Sequence, residues 1–315
     1  MSSDSIEISS STLKEAIFES EGILLKHNLH YGQGMRTALD EAAYLVSFMV
    51  GLPPDFCPEQ DNVCLSDQQK QHLQECLATR IKQRLPLAYI LGQTWLAGVK
   101  FNVSPAVLIP RSPIAELIKQ QFSPWNQCRQ VRRILDLCTG SGCLGILAAM
   151  AFPEARIDIS DIDQSALKIA EDNVVMHALA DRIDIICSDV YAQIPYTQYD
   201  IIIANPPYVP VREQAHLPTE FAHEPQHALF SGDDGLNIVK QVIAGAVTYL
   251  QAHGILVLEV GQFADELQAY YSHHQIMWHE LENGGEGVCV LTREDCQHLL
   301  NPALSLIHIS EPTRR

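Results

Sequence analysis

Ile134-Leu135-Asp136-Leu137-Cys138-Thr139-Gly140-Ser141-Gly142 is the stretch that decides the fold. Residues 134–137 form a short apolar run, the signature of a buried strand. Residues 143–151 follow as an apolar helix. Glycines between the two let the chain turn tightly and let a ligand come close to the backbone. The full GxGxxG pattern is absent, because Cys138 stands at the first glycine position. A plain strand-to-helix connection would read the same way, so the turn needs its surroundings.

Working outward, the pattern repeats downstream. Strands are predicted over 156–160, 183–187, 199–204 and 255–260, and helices over 164–178 and 236–250. This alternation predicts an α/β fold with a parallel sheet and helices on both faces. Such sheets bind ligands beyond the carboxyl ends of their strands. Residues 277–281 and 288–291 flank Asn283-Gly284-Gly285, which predicts an antiparallel pair.

Upstream, residues 12–85 read as helical. Leu13, Ile17, Leu24 and Leu25 recur at helical spacing, as do Leu39, Ala42, Ala43 and Val46. Gly32-Gln33-Gly34 and Leu52-Pro53-Pro54 break the run. Ser66 is placed to cap a third helix over 67–84, which stops before Pro86. Residues 88–110 change character, with Trp95, Val99, Phe101 and Val103 around Ala97-Gly98, and read as a β-hairpin. The expected organisation is a helical domain over 1–87, a hairpin linker over 88–110 and an α/β domain over 111–304. Residues 305–315 look like translated adapter sequence and are set apart as a non-native tail.

Three further sites follow the glycine turn. Asp161 ends the next strand, where an acid can accept hydrogen bonds from both hydroxyls of a ribose. Asp163 suits the helix cap better and leaves Asp161 to the ligand. Ser188-Asp189 ends the following strand and would lie beside an adenine; an ordinary loop acid reads alike. Asn205-Pro206-Pro207-Tyr208 is the most specific of the set. Its prolines stiffen the backbone and remove two donors. The Asn205 side-chain oxygen and the Pro206 carbonyl can accept the two hydrogens of a planar NH2 group. Tyr208 can stack on a flat amide or ring.

The composition narrows the partners. Asp plus Glu number 38 against 21 Lys plus Arg, a formal net charge of -17. That balance opposes general nucleic-acid binding, which draws on basic side chains, and suits a basic protein partner. No apolar run is long enough to span a membrane, and the N-terminus lacks a secretory pattern. Nine scattered cysteines without a CxxC pair read as reduced thiols in a cytoplasmic protein, with no metal site expected.

Together these residues resemble the Rossmann-like class I methyltransferases with an NPPY motif, and among them the N(5)-glutamine methyltransferases. The resemblance covers residues 12–300 and includes Val107-Leu108-Ile109-Pro110-Arg111, His223-Glu224-Pro225 and Ser231-Gly232-Asp233-Asp234-Gly235-Leu236. It implies S-adenosyl-L-methionine as cofactor, held by Asp136, Cys138, Thr139, Gly140, Ser141, Gly142, Asp161, Ser188, Asp189 and Asn205. It implies catalysis at Asn205, Pro206, Pro207 and Tyr208, with Arg111 joining Asn205, Pro206 and Tyr208 in binding the substrate. The run Arg111-Ser112-Pro113-Ile114-Ala115-Glu116 resembles the branch that methylates a glutamine of the large-subunit ribosomal protein L-three. The release-factor branch usually carries a proline-acid-threonine-glutamate run there, and remains the alternative. An adenine amino-methyltransferase of nucleic acid, and a non-catalytic binder that kept the fold, are the other readings.

Overall fold

The structure is a computed structural model that describes residues 6–10, 12–53, 64–126, 130–282 and 284–301. The tail over 305–315, Asn283 and Pro54 lie outside the described residues. The chain divides into two compact units. The first comprises residues 1–94, 103–105 and 218–223, and the second residues 95–102, 106–217 and 224–315.

The first unit is helical: α1 (Leu13–Leu24), α2 (Ala38–Met49), α3 (Asp67–Gln83) and α4 (Leu87–Leu91). Each of the three long helices begins at a hydroxyl. Thr12 caps α1, and Thr37 and Ser66 form capping boxes with Asp40 and Gln69. Leu13, Leu24, Leu45, Leu73 and Leu77 fill the core. Arg80, 1% exposed, lies among them. Its guanidinium donates to Glu41 (Nε to Oε2, 2.9 Å), to the His30 carbonyl (2.7 Å) and to Glu220 (3.4 Å). Arg84 reaches the same Glu220 oxygen at 2.7 Å, and the His30 N–H donates to it at 2.9 Å. The sequence reading put residues 218–223 with the α/β domain. They fall instead in the helical unit, because Glu220 finds its cations there.

Within the predicted hairpin linker over 88–110, only β1 (Gln93–Leu96) and β2 (Val99–Asn102) pair as a two-stranded sheet, and residues 88–91 belong to α4 instead. Ala97 and Gly98 between them both have positive φ, 51° and 81°, the signature of a type I′ hairpin turn.

The second unit continues with α5 (Ile114–Lys119), β3 (Arg133–Leu137), α6 (Cys143–Ala151), β4 (Arg156–Asp161), α7 (Gln164–Met176), β5 (Ile183–Cys187), β6 (Tyr199–Ala204), α8 (Asn237–Tyr249), β7 (Leu250–Glu259), α9 (Ala264–Tyr270), β8 (Val288–Thr292) and α10 (Arg293–Leu300). Six strands lie in the order β5-β4-β3-β6-β7-β8. All pairs are parallel except β7 with β8. Residues alternate between the two faces along each strand. Ile134, Ile157, Ile201 and Val257 pack on one side with α6, and Leu135, Ile202, Leu256 and Leu258 on the other with α8. The expected antiparallel partner over 277–281 shrinks to a single bridge, Trp278 to Cys289. Residues 288–292 pair with β7 instead, whose apolar residues bury them better than an exposed hairpin would. No helix among the described residues is long and apolar enough to cross a membrane.

Candidate active site

In the strand order, β4 and β5 lie to one side of β3, and β6, β7 and β8 to the other. The connections therefore reverse between β3 and β6, and a crevice opens at the carboxyl ends of those two strands. Leu137 pairs with Ala204 across this boundary. The next residue on each strand is Cys138 on one and Asn205 on the other. The sheet thus brings the glycine turn and the proline corner side by side.

A cavity of about 390 Å³ occupies the crevice. Cys138, Thr139, Gly140, Ser141, Asp161, Ser188, Asp189, Asn205, Pro207 and Arg111 all line it. Four sequence-predicted residues do not: Asp136, Gly142, Pro206 and Tyr208. Asp136 is buried behind the turn, where its Oδ2 accepts the Thr139 hydroxyl at 2.5 Å and the Gly145 N–H at 2.9 Å. Burial pushes its carboxyl up to about 7 against those two hydrogen bonds. Gly142 caps α6 at φ 80°, with Ala170 close behind it. Pro206 is buried. Tyr208 turns its hydroxyl to Glu259 at 3.3 Å.

Cys138 takes φ 56°, a region that costs a side-chain-bearing residue about 1–2 kcal/mol and costs glycine little. The missing glycine is therefore replaced in conformation, if not in identity. Burial and the neighbouring Asp161 and Asp136 push the Cys138 thiol well up, so it stays protonated. Asp161 accepts the Gly140 N–H at 2.9 Å and the Asp163 N–H at 3.0 Å. Its pKa is raised by burial, which those bonds and His227 oppose. Asp163 caps α7 through the Ser165 N–H, as expected.

Sequence reasoning missed four residues. Asn173 donates to the carbonyls of Ser141 (2.9 Å) and Asn102 (3.0 Å), and so ties the glycine turn to β2. Glu224, fully buried at its side chain, holds Arg111 through both oxygens (2.5 and 2.9 Å) and accepts the Ile109 N–H. Arg111 thus braces the cavity wall with its guanidinium. His227 lines the cavity and pairs with Asp163 at 3.2 Å. Glu259 ends β7. None has a local pattern. Only the text around His223-Glu224-Pro225, singled out as family-like, hinted at one of them.

Two glycines show how tightly the proline corner is held. A Cβ on Gly235, at φ 77°, would meet the Tyr208 carbonyl oxygen at 2.3 Å. A Cβ on Gly261 would meet the Tyr208 ring at 3.0 Å. Gly235→Ala is therefore expected to shift the corner, and misplacements of this kind cost on the order of 10²-fold in turnover. Steady-state kinetics will check it; an unchanged rate would mean that the corner tolerates the shift.

Residues 117–253 match the family described as Methyltransferase small domain. The chain is 39% identical over 284 residues to the ribosomal protein uL3 glutamine methyltransferase of Bordetella pertussis, covering 90% of this chain and 95% of that one. It is 36% identical to the protein of the same name from Francisella tularensis subsp. tularensis, over 90% of this chain and 91% of that one. The chain belongs to the uL3 glutamine methyltransferase family. Among solved structures, the hMettl16 catalytic domain in complex with MAT2A 3'UTR hairpin 6 superposes with a TM-score of 0.52 at 15% identity, covering 78% of this chain and 92% of that one. That likeness shows the class I methyltransferase fold.

This methyltransferase uses S-adenosylmethionine, and its residues fit that group. Ser141 lines the cavity, and its buried hydroxyl has no oxygen or nitrogen partner among the described residues. A Cβ on Gly140 would meet nothing within 4 Å, so the turn leaves room beside its backbone.

Proposed function

We propose that this methyltransferase places its methyl group on the side-chain amide nitrogen of a glutamine in ribosomal protein uL3. The observation that carries the reading is Asn205. It lines the same cavity as the glycine turn, and its side chain makes no hydrogen bond among the described residues. A rigid, uncommitted amide oxygen at that place suits a planar NH2 group. The family relatives supply the protein partner.

The chemistry follows from the nucleophile. An amide lone pair is delocalised into its carbonyl, so the nitrogen attacks poorly. S-adenosylmethionine supplies an electrophilic methyl group on a sulfonium. Asn205 accepts an N–H of the substrate amide, raises electron density on nitrogen and aims it, while Pro206, buried outside the cavity lining, stiffens the corner instead of serving as the second acceptor the sequence suggested. Held by the glycine turn and Asp161, the cofactor would give its methyl to the nitrogen and leave as the neutral thioether, and the amide proton would pass to solvent water. Alignment in an enclosed site supplies roughly 7–11 kcal/mol in favourable cases. In this reading Asp161 faces the ribose, Ser188 and Asp189 face the adenine, and the helical unit selects the partner.

The formal charge of -17 suits a basic partner met in the cytoplasm, and no direct role for nucleic acid or membrane. The test is incubation with radiolabelled S-adenosylmethionine and purified uL3, a peptide release factor or duplex DNA, followed by mass spectrometry. Label on a uL3 glutamine supports the proposal. Label on the release factor alone, or on adenine, overturns it.

Asp161→Ala removes the acceptor for Gly140 and Asp163 together with the ribose contact. Charged hydrogen bonds contribute about 1.5–3 kcal/mol each, so affinity for S-adenosylmethionine should fall at least tenfold. Calorimetry showing unchanged affinity would remove Asp161 from that role.

A further inference from the structure

Glu259 is buried at the carboxyl end of β7, one strand beyond the proline corner. Its Oε2 accepts the Ser112 hydroxyl at 2.5 Å, and its Oε1 accepts the Tyr208 hydroxyl at 3.3 Å. Ser112 closes the segment 106–112, every residue of which lines the cavity. Tyr208 closes the proline corner. One carboxyl therefore joins two walls that are far apart in sequence. It does not line the cavity itself.

We propose that Glu259 is a positioning residue that holds the Asn205-Pro206-Pro207-Tyr208 corner and the 106–112 segment in register, through hydrogen bonds from Tyr208 and Ser112. This rests on the reading that Asn205 orients the substrate amide. The surroundings point the same way. The Tyr208 ring lies against Gly261, where a Cβ would crowd it, and 6.2 Å from the Phe263 ring. The same Ser112 oxygen accepts the Ile114 N–H at 3.2 Å, which ties the bridge to the start of α5. Tyr208 is thereby given a different task from stacking on the substrate: it anchors the corner from behind. Burial pushes the Glu259 carboxyl up to about 7, against the pull of Ser112, Arg111 and Tyr208. Either protonation state keeps both bonds, because each hydroxyl can donate or accept.

The full-length enzyme is assayed with radiolabelled S-adenosylmethionine and purified uL3. Glu259→Ala should lower kcat on the order of 10²-fold, the cost of a small misplacement, with calorimetric affinity for S-adenosylmethionine within about threefold of wild type. Glu259→Gln, which can serve both hydroxyls, should recover most of that loss. Tyr208→Phe with Ser112→Ala should reproduce the Glu259→Ala loss, and adding Glu259→Ala to that pair should change kcat little further. This pair carries the test if Glu259→Ala does not fold. A glutamine variant as slow as the alanine variant overturns the proposal. So does a loss confined to S-adenosylmethionine binding, or losses that simply multiply. If wild type labels no glutamine, the proposed function itself fails. If wild type labels uL3 and Glu259→Ala keeps its kcat, only the positioning role fails.

Discussion

Asn205→Ala is expected to lower turnover by about a hundredfold to a thousandfold, the cost measured elsewhere for losing one preorganised polarising contact. Affinity for S-adenosylmethionine should stay within a few-fold of wild type. The two effects separate because of what else lines the cavity. Cys138, Thr139, Gly140, Ser141 and Asp161, the residues proposed to hold the cofactor, line the cavity without a hydrogen bond to the Asn205 side chain. Asn205 follows the last residue of β6 and lies beside Cys138, and its side chain makes no hydrogen bond among the described residues. Alanine therefore removes an acceptor without leaving a buried donor unpaired. Single-turnover kinetics with uL3, read beside calorimetry, will check this. A variant with near-normal turnover would take Asn205 out of catalysis.

The second large effect concerns stability. Arg80→Ala is expected to destabilise the protein by about 3–5 kcal/mol, the usual cost of stripping one partner from a buried ion pair. Glu41 and Glu220 would be left buried without their shared cation. Arg84 still reaches Glu220 but is not paired with Glu41. Burial already raises the Glu41 pKa above its ordinary 4.5, with Arg80 pulling it back. Removing Arg80 raises it further. A carboxyl whose pKa is higher folded than unfolded favours folding at low pH, and that stability is lost as pH climbs past its unfolded value. The deficit should therefore grow between about pH 5 and pH 8. Urea denaturation at both pH values measures it. A loss under about 1 kcal/mol at pH 8 would show that water or Arg84 takes over the role.

Much of the fold was legible because its signals are local. Cys143–Ala151, Ile183–Cys187 and Tyr199–Ala204 fall where apolar periodicity alone puts them. The hairpin about Ala97-Gly98 and the caps at Ser66 and Asp163 are likewise written in a few adjacent residues. The 277–281 segment was misread because its glycine-rich flank signals a turn but not which strand the chain will choose.

What the chain's letters determined is the set of turns at the cavity: the glycine turn, Ser188-Asp189 and the proline corner each sit directly after a strand, and Asp161 is the last residue of one. Strand ends are local, and a parallel sheet gathers them at one edge whatever the rest of the chain does. Only the tertiary structure decided what braces those turns. Glu259 meets Ser112 across 147 residues, Glu224 meets Arg111 across 113, and Glu220 meets Arg80 across 140. Carboxylates so far from their partners leave no periodic trace. Their place is set when packing removes them from water and leaves each a single set of donors within reach.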